Sequence, residues 1–299
     1  MHFPVSGVDC SPLLPPVVAF VVASLTASAG VSGAFLLLPF QMSVLGFTSP
    51  AVSATNLLYN VVAIPGGVFR YLIEKRMAWP VVWVTSLGTL PGIFLGAVIR
   101  VRYLPDPASI KLFVGAMLLY LGWRLFKGSA NRGNLHPLPK DAAVRTRSVS
   151  WPRIEYDFRG ETYAFRPVPL LFLSLAVGLA GGIYGIGGGA IIAPFLVGWM
   201  RLPVHSIAGA TLFGTFLTSL AGVFCFELLA YAGAGAGTAV GPDWALGLLF
   251  GVGGLAGTYA GARMQRYLPE RWIRIFLGLL VTGLGAGYVA QFHFTKLIK

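Results

Sequence analysis

The groups in this sequence best suited to binding a ligand are the backbone amides of a run of glycines. Residues 181–189 read Gly-Gly-Ile-Tyr-Gly-Ile-Gly-Gly-Gly within an otherwise apolar stretch. Glycine costs about 1 kcal/mol per residue in a helix interior, so Gly187, Gly188 and Gly189 in succession predict an opened helix. A helix that restarts after such a break presents free N–H groups and a positive dipole end, which attract anions. Close packing of two helices through small residues is the alternative interpretation.

A second segment of small residues lies in the first half of the chain. Residues 28–34 read Ser-Ala-Gly-Val-Ser-Gly-Ala, and Pro39 follows them much as Pro194 follows the glycine run. Ser32 and Gly33 are therefore the candidates for a second break. Backbone that is opened within a membrane must line a protein or water cavity, because lipid satisfies no hydrogen bonds. Two breaks at equivalent places predict one shared, pseudo-symmetric site.

Polar side chains follow each break in otherwise apolar sequence. Asn56 and Asn60 are spaced i,i+4 and share a helix face. Neutral hydrogen-bonding groups suit an oxyanion whose charge is balanced by backbone dipoles, although hydrogen bonding between helices would use the same residues. We expect no catalytic residue, no metal and no cofactor. The predicted substrate-binding residues are Ser32, Gly33, Thr55, Asn56, Asn60, Gly187, Gly188, Gly189, Thr211 and Thr215.

Composition indicates that membrane helices position these groups. The chain of 299 residues is 56% hydrophobic and only 11% charged, against about 25% charged in a soluble domain. This excludes a soluble enzyme and a nucleic-acid-binding module. The formal net charge of +12 is assigned to loops beside the lipid bilayer. Cys10 and Cys225 lack any CxxC spacing, so neither a disulfide framework nor a metal site is predicted.

The apolar stretches predict an all-α polytopic membrane protein with about eight membrane segments. Two segments fit within residues 11–69, separated by turn formers at 46–50, and residues 168–200 are too long for one straight span. The first segment of each half is predicted to be broken, with a re-entrant course as one option. The remaining segments fall at residues 77–99, 107–126, 202–231, 244–262 and 273–292.

A hydrophilic segment separates the two apolar halves. Within it Ile154, Tyr156 and Phe158 alternate with charged residues before Gly160, which predicts a small β-hairpin. A disordered linker with chance alternation is the other interpretation. The predicted organisation is a first transmembrane repeat at residues 1–127, a cytoplasmic linker at 128–167 and a second repeat at 168–299.

The halves share landmarks in the same order. Arg-Tyr-Leu-Pro occurs at residues 102–105 and again at 266–269, and Gly92 and Gly96 correspond to Gly257 and Gly261. Internal duplication around a linker is typical of transporters. Inverted halves place more Lys and Arg on one side than parallel halves do, so the positive-inside rule favours inversion.

These residues together resemble the TauE/SafE family of sulfite and organosulfonate exporters. The resemblance rests on Gly185-Ile-Gly-Gly-Gly-Ala-Ile-Ile-Ala-Pro194, on Ala54-Thr55-Asn56 and on residues 33–40. It implies a multi-pass secondary transporter of the plasma (inner) membrane, with no enzymatic activity. Such a protein exports small sulfur-containing anions by alternating access, and its partners are the anionic substrate and the bilayer. The chain departs from many members in having Leu57 where they carry a lysine.

Two other functions remain open at this stage. A passive anion channel would use the same site without a conformational cycle. A rhomboid-like intramembrane serine protease would use Ser32, in the Gly-x-Ser-Gly pattern of residues 30–33, with His205 as its base.

Arg100 lies at the end of an apolar stretch, which predicts that its side chain is an anchor at the membrane–water interface.

Overall fold

The computed structural model describes residues 1–28, 32–130, 143–235, 237–264, 275, 278–279 and 281–290. Its helices are α1 Leu14–Ser28, α2 Ala34–Ser43, α3 Ala51–Ile73, α4 Trp79–Arg102, α5 Pro107–Ala130, α6 Pro167–Tyr184, α7 Gly189–Gly198, α8 Val204–Tyr231, α9 Trp244–Met264 and α10 Val281–Ala290. Its strands are β1 His2–Phe3, β2 Val8–Asp9, β3 Val144–Val149, β4 Ile154–Phe158 and β5 Glu161–Phe165.

Five of these helices, α3, α4, α6, α8 and α9, are long and apolar enough to cross a membrane. By contrast, α2 and α7 have only ten residues each. At 1.5 Å per residue they are about 15 Å long, half of the roughly 30 Å hydrocarbon layer. Both stretches predicted to be broken therefore consist of a longer helix, an interruption and a half-length helix. The predicted eighth segment, 273–292, lies only partly within the described residues.

Helices of the two halves pack in parallel pairs through glycines spaced four residues apart. Along α4, a Cβ at Gly92 would lie 2.4 Å from Leu175 O of α6, and Gly88 and Gly96 make equivalent approaches one turn away. Along α9, a Cβ at Gly257 would lie 2.5 Å from Phe20 O of α1. Backbones approach this closely only where the side chain is absent, so α4–α6 and α1–α9 form the tightest helix contacts.

The half-length helices run opposite to the helices that precede them. Parallel packing of α9 with both α1 and α3 gives these three helices one direction, and α4, α6 and α8 share the other. The α2 helix runs antiparallel to α3, since Ser32 contacts Asn60 whereas Gln41 contacts Asn56. The five-residue loop from α7 to α8 likewise makes these two antiparallel. The chain thus turns back after α1 and again after α6.

The two ends of the helix bundle differ in their covering. At the hairpin end, the β1–β2 hairpin contacts the start of α9, where Ser6 Oγ donates to Asp243 Oδ2 at 2.8 Å. At the sheet end, the β3–β4–β5 sheet lies over the α3–α4 loop, and Val144 N donates to Lys75 O at 3.0 Å. The hairpin is thus held by a buried carboxylate, and the sheet by a backbone carbonyl of a loop.

The predicted hairpin is confirmed as β4–β5, in a sheet of three strands. Arg159 and Gly160 form its two-residue turn, and both have positive φ, as a type I′ turn requires. The buried face of β4 packs onto the bundle, and Tyr156 Oη shares a 2.9 Å hydrogen bond with Ser206 Oγ of α8. Burial of the phenol raises the pKa of Tyr156 to about 12.

Candidate functional site

Asn60 of α3 connects the two breaks. Its Oδ1 accepts a hydrogen bond from Ser32 Oγ at 2.6 Å, just before α2 begins. Its Nδ2 donates to Ile186 O at 3.1 Å, between α6 and α7. All three residues are buried. The Asn60 side chain therefore bridges the two interruptions. Residues 29–31 lie outside the described residues.

Asn56 makes a second connection one turn earlier on α3. Its Nδ2 donates to Ala34 O at 2.9 Å and to Gly185 O at 2.8 Å, so one amide satisfies a carbonyl from each break. Its Oδ1 accepts from Gln41 Nε2 at 3.3 Å. The predicted face of Asn56 and Asn60 exists, and its amides hold opened backbone in place.

The second break has a backbone that only glycine adopts without strain. Gly185 has φ of 77° and Gly187 has φ of 65°, both in the left-handed region. A Cβ at Gly185 would also lie 2.5 Å from Ser53 O of α3. Ser53 Oγ in turn donates to Ile183 O at 3.1 Å. Helix α3 therefore fixes the end of α6 by direct backbone contact.

The start of α7 leaves amide donors inside the protein. Gly189 N donates to Thr215 Oγ1 at 2.8 Å, and that hydroxyl donates to Thr211 O. Within the described part of the chain, no acceptor contacts the amide nitrogens of Gly187 or Gly188. The amide of Gly33 at the start of α2 also has no acceptor there. These three buried N–H groups are the donors that a bound anion could satisfy.

Unpaired polar side chains lie beside both breaks. Tyr59 Oη and Ser219 Oγ are buried with no hydrogen-bond partner among the described residues. A Cβ at Gly33 would lie 2.7 Å from Tyr59 Oη, and one at Gly187 would lie 3.0 Å from Ser219 Oγ. Gln41 Oε1, next to Asn56, is unpaired as well. Buried polar groups are rarely left unpaired, so this cluster marks a place for water or a polar solute.

Two of the predicted threonines use their hydroxyls elsewhere. Thr55 Oγ1 donates to Ala51 O and accepts from Asp243 N at 2.9 Å, which places it against the start of α9. Thr211 Oγ1 donates to Ala208 O in its own helix. Both are buried, like the other eight predicted residues, but their hydroxyls do not contact the breaks.

Arg100 is not the interfacial anchor that its position in the sequence indicates. It is fully buried at the hairpin end of α4. Its guanidinium donates to Thr48 O at 3.2 Å, to Ser53 Oγ at 3.4 Å and to Leu104 O. Among the described residues no carboxylate lies within ion-pair distance. The loops before α3 and after α4 bury a cation that sequence hydropathy alone places in water.

The protease interpretation is not supported by the position of its nucleophile. Ser32 Oγ donates to Asn60 Oδ1 and accepts from Ala34 N, so no described base contacts it. His205 is the second residue of α8, at the sheet end, away from the break. The described residues also contain no group of His, Cys, Asp or Glu side chains that could hold a metal ion.

Replacing Asn60 with Leu should destabilise the protein because Ser32 Oγ and Ile186 O would lose their partner. An orphaned buried polar group costs about 1–3 kcal/mol. The melting temperature of the purified variant should therefore be clearly lower than that of the control Thr218→Val. This control removes a buried hydroxyl that is hydrogen-bonded only within α8. Equal melting temperatures for the two variants would contradict a connecting role for Asn60.

Comparison with known proteins agrees with a membrane transporter. The profile of the family described as "Sulfite exporter TauE/SafE" matches residues 16–288. A probable membrane transporter protein of Xylella fastidiosa strain 9a5c is 25% identical over 265 residues, covering 84% of this chain and 85% of the relative. The probable membrane transporter protein YunE of Bacillus subtilis is 19% identical over 284 residues, covering 92% and 96%. No solved structure gives a significant match. Together with the five membrane-length helices, the match along nearly the whole chain shows that this multi-pass membrane protein belongs to the TauE/SafE family of transporters.

Proposed function

We propose that the protein is a secondary transporter that exports small sulfur-containing anions, such as sulfite or organosulfonates. The observation that carries the proposal is the set of buried donors at the breaks that have no acceptor among the described residues, namely the amides of Gly33, Gly187 and Gly188. Tyr59 and Ser219 add hydroxyls to this set. The only buried acidic side chain in the described part of the chain is Asp243, which caps α9, so no described carboxylate is buried at the breaks.

We assign different roles to the predicted residues within this proposal. The amides of Gly33, Gly187 and Gly188 bind the anion directly. Asn56 and Asn60, with Ser32, Gly189 and Thr215, hold the two breaks in position. Thr55 and Thr211 support the surrounding helices. An anion bound in this way is balanced by helix dipoles, and Arg100 adds a positive potential from the hairpin end.

The proposed framework is an inverted repeat with the three-part organisation 1–127, 128–167 and 168–299. Helices α3 and α8, which correspond in the two halves, run in opposite directions, and this supports inversion. The corresponding glycines of α4 and α9 make the same kind of close contact, with α6 and α1 respectively. Each half then has four segments, of which the first is a re-entrant pair, α1–α2 or α6–α7. The second Arg-Tyr-Leu-Pro landmark, 266–269, lies outside the described residues.

The sheet end is proposed to face the cytoplasm of a cell membrane. Its described basic residues are Arg70, Lys75, Arg76, Arg124, Lys127, Arg145, Arg147, Arg153, Arg159, Arg166, Arg201 and Arg263, whereas the hairpin end has Arg100, Arg102 and Lys111. An excess of Lys and Arg marks the cytoplasmic side. Alternating access would then rock the two halves around the paired breaks, and the inside-negative potential favours anion export by about 2.3 kcal/mol per charge per 100 mV.

Flux measurements in proteoliposomes test this function. A panel of sulfite, sulfate, thiosulfate and small sulfonates should include at least one anion with saturable uptake. That anion, when loaded inside the vesicles, should accelerate uptake of the labelled anion from outside, because a carrier returns faster when loaded. Flux without saturation or counterflow would indicate a passive channel, and no flux of any anion would overturn the substrate class.

A further inference from the structure

A cavity of about 460 Å³ lies at the sheet end, away from the breaks. It is bounded by β4–β5, the start of α6 and the loop after α7. Arg153 and Arg166 supply its charge, and Phe165, Trp199 and Met200 supply apolar walls. The proposed transport function uses none of these residues.

The cavity carries excess positive charge. Arg153 pairs with Glu155, whose Oε1 lies 2.9 Å from the Arg153 Nε. Arg166 is exposed, immediately precedes α6 and has no carboxylate within ion-pair distance among the described residues. Two guanidinium groups beside a helix start fit a phosphate group, whose oxygens accept several hydrogen bonds at once.

An apolar surface continues from the cavity along the outside of α6. Val168 and Phe172 lie one turn apart on that helix, and Phe172 is 64% exposed. Trp199, which lines the cavity, is 61% exposed. Tryptophan at such a position is typical of the membrane–water interface. The surroundings therefore change from cationic to apolar over one side of the cavity, which matches a molecule with an anionic head and apolar chains.

We propose that this cavity binds the headgroup of an anionic phospholipid from the adjoining leaflet. The phosphate would contact Arg153 and Arg166, and the acyl chains would lie along Val168 and Phe172. Basic pockets at the cytoplasmic ends of membrane helices recognise anionic headgroups in this way. The bound lipid would connect the linker sheet to α6 and to the loop between α7 and α8.

Lipid retention by the full-length purified protein tests this proposal. Native mass spectrometry after delipidation and re-addition should show at least tenfold greater retention of phosphatidylglycerol than of phosphatidylcholine. The double variant Arg153→Gln/Arg166→Gln should lose this preference. The matched control Arg145→Gln/Arg147→Gln removes the same charge from exposed positions on β3 and should keep it.

Other outcomes would overturn the proposal. Equal retention of the two lipids would exclude headgroup recognition, and equal loss in the control would indicate a diffuse basic surface. Thermal melting with inorganic phosphate provides a further arm. If phosphate alone stabilises the wild type as much as phosphatidylglycerol does, the cavity is a simple anion site. If the cavity variant does not fold, the wild-type protein alone tests the proposal. It should retain phosphatidylglycerol more than phosphatidylcholine, and phosphatidylglycerol should stabilise it more than phosphate does.

Discussion

Arg100→Gln should reduce anion flux at least tenfold while leaving the thermal stability of the protein unchanged or slightly higher. The buried Arg100 has no carboxylate within ion-pair distance among the described residues, so its charge is expensive to desolvate. Removal of that cost by glutamine should offset the loss of the bonds to Thr48 O and Leu104 O. Transport would suffer because the positive potential acting on the anion is lost. A tenfold effect corresponds to about 1.4 kcal/mol.

Arg102→Gln is the matched control for this prediction. Arg102 is exposed at the same end of α4, so its replacement should leave both flux and stability near wild type. Arg100→Lys keeps the charge and should retain part of the flux. If Arg100→Gln instead lowered the melting temperature and left flux per folded molecule intact, Arg100 would be a structural residue.

Gly185→Ala should destabilise the protein by at least about 3 kcal/mol, with a corresponding fall in the yield of monodisperse protein. Alanine at φ of 77° costs about 1–2 kcal/mol by itself. The added Cβ would also lie 2.5 Å from Ser53 O and 2.6 Å from Ser53 Cα. Backbone atoms cannot move aside without displacing α3, so the steric penalty adds to the conformational one.

Gly233→Ala separates these two contributions. Gly233 has φ of 67° and no atom of the described residues within 4 Å of its Cβ position, so we expect only the conformational penalty. The two variants should therefore differ in free energy of unfolding by more than 1 kcal/mol, measured by denaturant titration in detergent. Equal destabilisation would mean that the contact between Gly185 and Ser53 does not hold the second break.

Composition and local patterns were sufficient for much of the fold. The low charge content predicted membrane helices, and the glycine run placed the second break where α6 ends and α7 begins. The alternation at Ile154, Tyr156 and Phe158 predicted β4 because one face of that strand is buried. These features are visible in the sequence because each depends on residues that are close together along the chain.

Other features depend on contacts that only the folded chain creates. Strand β3 is almost wholly exposed and has no apolar alternation, so period-two patterning could not reveal it. The spacing of Asn56 and Asn60 predicts a polar helix face, but the acceptors of the Asn56 amide, Ala34 O and Gly185 O, lie far away in sequence. Arg100 is buried by loops on either side of α3 and α4. The position of Arg100 at the end of an apolar stretch does not indicate that burial.

The most direct measurement of the shared site is hydrogen–deuterium exchange of the purified protein as an anion from the flux panel is titrated. Peptides covering residues 32–35 and 186–191 should both become protected, with the same half-saturating anion concentration, because amides from the two breaks bind one ion. The exposed β3 strand at residues 144–149 should be unaffected. Protection of only one break, or of neither at concentrations that saturate flux, would contradict a single anion site formed by both.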